Sequence, residues 1–205
     1  MKSFLSLIPL FELLTVSAVV VSCSSSEARF AKEIPGVWQG TPEMISDNIA
    51  STATIVDIYE FSPVSDTASS TLTGNITITG MVNTTTQIVG DSAFIEPLRL
   101  SVSGRTAISG TWTVIDDDEI SLSLDPQSLT VDIDPDAVLA NDTPLPLGSP
   151  SIDSLRPAVC RNIEQSIRAA LTARYTGLRK LDDVKVKGKL LKYEVNDQDF
   201  VLTRQ

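Results

Sequence analysis

Between residues 36 and 133 apolar and polar residues alternate with period two, and beyond residue 155 the period lengthens to about 3.6. Leu98, Leu100 and Val102 alternate with Arg99, Ser101 and Ser103, and Ile108, Gly110, Trp112 and Val114 alternate with Ser109, Thr111 and Thr113. Ile120, Leu122 and Leu124 follow an Asp116-Asp117-Asp118 turn, and Leu129, Val131 and Ile133 follow Asp125-Pro126. Each run has one apolar face, so the four predict an antiparallel meander burying a single side. Upstream, Thr54 to Phe61 and Thr71 to Val82 are strand candidates rich in Ile, Val and Thr, Gln87 to Val89 is a shorter one, and Gly36 to Gln39 would be the first strand. Asp134 to Asp153 holds prolines 135, 144, 146 and 150 together with Asn141-Asp142 and Gly148-Ser149, a composition that marks a long loop.

After that loop Leu155, Val159, Ile163, Ile167 and Leu171 form a stripe of i, i+4 spacing, widened by Cys160 and Ala170, while Arg161, Glu164, Gln165 and Arg168 face away. The spacing predicts an amphipathic helix over 155–175 that packs on the β core, with Ser154 as N-cap, Pro157 in the first turn and Gly177 at the end. Val184 to Lys187, Leu190 to Val195 and Phe200 to Thr203 read as strands, the last two joined by an Asn196-Asp197 turn.

The N-terminus carries a different signal. Lys2 precedes apolar sequence from Phe4 to Val21 that is broken by Pro9 and Glu12, leaving Leu13 to Val21 uninterrupted. That length suits the hydrophobic region of an export signal, about 7–15 residues, better than a span of about 20. A spanning helix would also carry Glu12 near its centre, at a cost of about 2.5–3.5 kcal/mol. Val20-Val21-Ser22-Cys23 resembles the bacterial lipobox, in which aliphatic and small residues precede an acceptor cysteine. The resemblance implies that residues 1–22 are removed and that Cys23 takes a diacylglyceryl group and a palmitate-type acyl chain. Several chains at about 0.8 kcal/mol per methylene hold a protein stably on a membrane. Residues 23–33 then read as the lipidated cysteine and its tether, starting with Ser24-Ser25-Ser26. Ser24 in place of Asp after the cysteine points to a cell-envelope location at the outer membrane, and the side faced stays open.

With Cys23 acylated, Cys160 has no partner among the chain's two cysteines, so no internal disulfide forms. Stability must come from the core of the 183 residues that follow the signal, a length that suits one domain over 34–205. Cys160 itself falls on the apolar helix face and reads as a small buried hydrophobe.

A Gly36-x-Trp38 strand, a series of antiparallel strands, a late helix and further strands follow the order of lipocalins and related calycins. The chain resembles the lipocalin-like lipoproteins of Bacteroidota. The resemblance implies that Gly36 and Trp38 are structural, the indole closing the base of the barrel. Gly110-Thr111-Trp112 repeats the pattern on another strand, so Trp112 is a second candidate for that role. The expected fold is mainly β: an antiparallel lipocalin-like barrel, with a β-sandwich as the rival, and one C-terminal helix followed by two to three strands. Membership of that phylum would also imply O-glycosylation at Asp-Ser/Thr sites, with Thr67 after Asp66 and Ser92 after Asp91 as candidates; Asp153-Ser154 fits too, in competition with capping.

Charge is uneven. Residues 24–155 carry 19 acids against 4 bases, and residues 156–205 carry 6 against 11, within a whole-chain charge of −10. An acidic body disfavours nucleic acid as a partner, because phosphate binding needs clustered positive charge. With no histidine in the chain, the Ser-His-Asp and Cys-His arrangements and the usual zinc sets are unavailable, and no phosphate loop, Gly-x-Ser-x-Gly elbow or Ser-x-x-Lys motif occurs. Asp132, Asp134 and Asp136 have the first spacings of a calcium loop, but Ala137 stands where its glycine would be and Thr143 where its bidentate acid would be. Asp132 and Asp134, alternating with Val131 and Ile133, read as a solvated strand face, and Asp116 to Glu119 as a turn tip.

No cofactor or metal site is expected. Three function classes follow: a surface-interaction lipoprotein held by its Cys23 anchor and meeting a protein or glycan, a carrier of a small apolar molecule inside the barrel, and a glycan-active enzyme using two carboxylates. Inward Ile, Leu and Val favour a filled interior over a calyx, which leaves the acidic turns, the 134–153 loop or the basic edge of Lys185, Lys187 and Lys189 as the working surface.

Overall fold

The computed structural model describes residues 26–48, 51–63, 72–88, 98–140, 143–144 and 150–205. A short helix α1 (Ser26–Glu33) leads into β1 (Gly36–Gln39), β2 (Glu43–Asn48) and β3 (Ser51–Phe61). Two long strands follow, β4 (Thr73–Ile88) and β5 (Leu98–Asp116), then β6 (Glu119–Leu124), β7 (Thr130–Ile133) and the two-residue strands β8 (Leu139–Ala140) and β9 (Thr143–Pro144). Helix α2 (Pro150–Gly177) precedes the last three strands, β10 (Lys180–Lys187), β11 (Leu190–Val195) and β12 (Gln198–Arg204).

The strands close a ring. β1 pairs with β3, β3 with β4, β4 with β5, β5 with β6, β6 with β10, β10 with β11, β11 with β12, and β12 returns to β1, every pairing antiparallel. This is an eight-stranded lipocalin-like barrel with its helix before the last three strands, not a sandwich. Where the ring is complete, closure removes the exposed strand edges that an open sheet must protect.

The ring is complete only towards one end. β3 pairs with β1 along Ile58–Phe61 and with β2 along Ser51–Ile55. β5 likewise pairs with β6 along 110–116, with β7 along 104–107 and with β8 at Leu100 and Ser101. No strand joins β2 to β7 among the described residues, and α2 lies across that gap, packed on β2, β7 and the two 3-10 turns at Pro126–Ser128 and Pro135–Ala137. α1 covers the complete end, where Phe30, Ala31 and Ile34 are buried and the helix meets β5.

Inward positions keep one phase along each long strand. Ala53, Ile55, Tyr59 and Phe61 on β3, Ile76, Ile78 and Val82 on β4, and Leu100, Val102, Ile108, Trp112 and Val114 on β5 are all buried. From α2, Cys160, Ile163, Ile167, Leu171 and Tyr175 join the same cluster, so the helical stripe packs on the β core as its spacing predicts. Burial pushes the Cys160 thiol up from its ordinary value, which suits a small hydrophobe.

Several boundaries differ from the sequence reading. The runs at 98–102 and 108–114 are one 19-residue strand, so they are not two neighbours of a meander. Their apolar pattern breaks because the inward positions between them hold Gly104 and Thr106, although the phase never slips. The strands expected at 71–82 and 87–89 likewise share β4, whose described span is Thr73–Ile88 and where Thr84 takes an inward place and is buried. β2 was not foreseen. Within 23–33, residues 26–33 are helix rather than tether. Helix α2 starts at Pro150 inside the expected loop, so Ser154 is not its N-cap and Pro157 sits in the helix interior rather than the first turn. Gly177 is its last residue, as expected.

Candidate functional site

Cys23, Thr67 and Ser92 lie outside the described residues. Gly36 and Trp38 sit where α1 turns into β1. Gly36 has φ +136°, a conformation that side-chain-bearing residues rarely adopt. Trp38 is fully buried, its Nε1 donates to the Ile34 carbonyl at 2.8 Å, and the Arg204 guanidinium lies 4.2 Å from its ring centroid. This stack joins the first strand, the last strand and α1 at the complete end of the barrel. Trp112 is also fully buried, donates to the Ser62 carbonyl at 3.1 Å and meets Phe61 edge-on at 5.8 Å.

Deeper in the barrel is a polar cluster absent from the sequence reading. Asp57 occupies an inward position of β3 and is 2% exposed. Arg174 of α2 donates through Nη2 to Asp57 Oδ2 at 3.0 Å and through Nη1 to Glu43 Oε2 of β2 at 2.7 Å. Tyr175 Oη donates to Asp57 Oδ1 at 3.0 Å. Gly80 on β4 leaves the room, since a Cβ there would collide with the Thr106 hydroxyl and Ile55 and press on Asp57. Burial raises the Asp57 carboxyl above its ordinary value, opposed by the Arg174 charge and by hydrogen bonds from Tyr175 and Arg174. Burial alone would depress Arg174, but the Glu43 hydrogen bond and the Asp57 charge outweigh it and hold the guanidinium charged. Together Asp57, Glu43, Arg174 and Tyr175 fasten α2 to β2 and β3 across the gap in the ring.

A signal for this cluster was present: in Ala53, Ile55, Asp57, Tyr59 and Phe61 an acid interrupts the apolar phase of a strand. An inward carboxylate needs a buried partner, and no sequence rule says that the partner comes from Arg174, 117 residues away.

The large inward volume is occupied by Trp38, Trp112, Tyr59 and Phe61, all buried to 2% exposure or less. Among the described residues, cavities along the seams beside α2 open to solvent. One of about 440 Å³ lies between the last turns of α2 and β6, with Thr172, Thr176, Ser121 and Ser123 on its walls. Another of about 200 Å³ lies between α2 and the inner face of β3 and β4, lined by Ile45, Ala53, Ile163 and Ile167 and reached by the Thr84 hydroxyl, which has no partner.

Asp132 is exposed on β7 between buried Val131 and Ile133, the strand-face placement expected of it; Asp134, expected on the same face, instead lies past the strand end and accepts from the Asp136 N–H at 2.9 Å to cap a 3-10 turn, because Pro135 ends the ladder. Of the basic edge, Lys185 is tied to Asp183 at 2.7 Å, while Lys187 and Lys189 flank the exposed Gly188 turn. Among the described residues no helix is long and apolar enough to cross a membrane. Comparison with known proteins finds no family model, no curated protein and no solved structure that matches the chain.

Proposed function

We propose that the chain is an envelope lipoprotein, anchored through Cys23 in the outer membrane, whose barrel works by non-catalytic surface interaction with a protein or glycan. The observation that carries this reading is the occupied interior: indoles, phenyl rings and α2 fill the place where a carrier keeps its ligand. The lipobox at Val20–Cys23 supports the anchor. Among the described residues Asp57 is the buried carboxylate, and it is engaged in fastening α2, which weighs against its serving in a two-carboxylate enzyme. A carrier reading keeps specific support in the crevices beside α2, one of about 440 Å³ reaching Ile108, Leu122 and Tyr175 and one of about 200 Å³ whose walls mix Ile45, Ile163 and Ile167 with Asn162 and Ser166.

Two measurements test the proposal. Cys23→Ala is expected to leave the precursor without acyl mass and to move the protein out of the detergent-extracted membrane fraction. Continued membrane retention of that variant, with no acyl mass on the wild-type N-terminus, would refute the anchor. Fatty acids, sterols and haem added to the soluble domain are expected to leave its melting temperature unchanged, and a rise that saturates with ligand would promote the carrier.

A further inference from the structure

We propose that the α1-covered end of the barrel stands against the bilayer and that the end carrying the β4–β5 tip and the open side of α2 points away from it. The inference rests on the reading that Cys23 is lipidated, and adds an orientation to it. Only Ser24 and Ser25 separate Cys23 from Ser26, the first residue of α1, so the anchor lies at most about 10 Å from the helix however the linker bends. The helix is not a loose spacer. Phe30, Ala31 and Ile34 are buried in the barrel core, the Ile34 carbonyl accepts from the Trp38 indole, and the Glu33 carbonyl accepts from Arg204. Eight helical residues add about 12 Å. The opposite end is out of reach: the β4–β5 ladder runs from Thr73 opposite Thr113 to Ile88 opposite Leu98, about 50 Å along the strands.

The Asp116–Glu119 turn and the Lys187–Lys189 turn sit at the α1 end. The Lys189 carbonyl accepts from the Arg204 N–H at 2.8 Å, and the Asp118 carbonyl accepts from the Val184 N–H at 2.8 Å. Arg29, Lys32, Lys187 and Lys189 are countered there by Glu27, Glu33 and Asp116 to Asp118. With both signs interspersed, the tether rather than surface charge sets the distance to the lipid. What a partner can approach is then the other end, where α2 spans the gap between β2 and β7.

The test uses the full, processed chain in phosphatidylcholine vesicles containing a headgroup-nitroxide lipid. Fluorophores are placed on Asp117→Cys or Lys187→Cys at the near end and Gln87→Cys at the far end, all exposed positions. The parent chain gives the background from buried Cys160. Quenching is expected to be several-fold stronger at both near positions than at Gln87→Cys, and the difference is expected to shrink when a long Gly/Ser run is inserted after Ser25. Equal quenching at both ends of an acylated chain overturns the orientation alone. Absence of diacylglyceryl mass on the N-terminal peptide overturns the lipoprotein reading and the orientation with it.

Discussion

The chain has three tyrosines, and the barrel buries all of them: Tyr59, Tyr175 and Tyr193 are 2–3% exposed. Burial raises each phenol above its ordinary value, with Tyr193 pushed up to about 12. For Tyr175 the hydrogen bond it donates to Asp57 and the charge of that carboxylate add to the effect. Folded-state values above the unfolded ones mean that this stabilisation is complete below about pH 10 and is lost as pH rises from there to 12 and beyond. At pH 12 a phenol that stays protonated forgoes about 2–3 kcal/mol of ionisation available to the unfolded chain, and Tyr193 somewhat less. Over three buried phenols the loss is of the same order as the whole stability of an ordinary domain, about 5–15 kcal/mol. Raising the pH is therefore expected to produce no phenolate absorbance near pH 10. All three groups should instead appear together, in one steep step coincident with loss of the far-ultraviolet circular dichroism signal. Two or three phenolates titrating independently near pH 10 in a chain that keeps its native circular dichroism would refute the buried placement.

Arg174→Met is expected to lower stability by about 3 kcal/mol, because it leaves Asp57 buried without its cation, and Asp57→Asn in the same chain should restore part of the loss; urea unfolding of both variants checks this. Ile163→Asp places a charge where α2 meets the core and should cost at least about 3 kcal/mol by the same assay, whereas a change under about 0.5 kcal/mol would mean that the stripe faces solvent.

The architecture was largely legible because alternation and helical spacing are local. The alternation at 108–114 and 120–124 and the stripe at Val159, Ile163 and Ile167 carry their burial in plain periodicity. What stayed hidden depends on neighbours. Gly80 and Gly104 break the apolar pattern because a side chain there would collide with its neighbours, Thr84 and Thr106 break it with buried hydroxyls, and a pattern reader sees gaps between strands where the backbone runs on. The Asp57 cluster was half legible, as an acid in the wrong phase. Its partners Glu43 and Arg174 lie on elements whose approach is set by the missing stretch of the ring. α1 is brief, and its eight residues owe their helical form to Phe30 and Ile34 docking rather than to a sequence long enough to be helical alone.

The pairing of β1 with β12 bears on when this chain can fold. Trp38 lies opposite Arg204 and Gln39 opposite Thr203, so the seam joins residues more than 160 positions apart. A ribosome must finish the last strand before the first has a partner on that edge, and a chain cut after Asp197 would leave Trp38 without the guanidinium that covers it. Contacts so distant in sequence form late, because loop closure must be complete before they stabilise anything. The nascent domain therefore stays open along that seam until β12 has been made, and its first strand waits on its last.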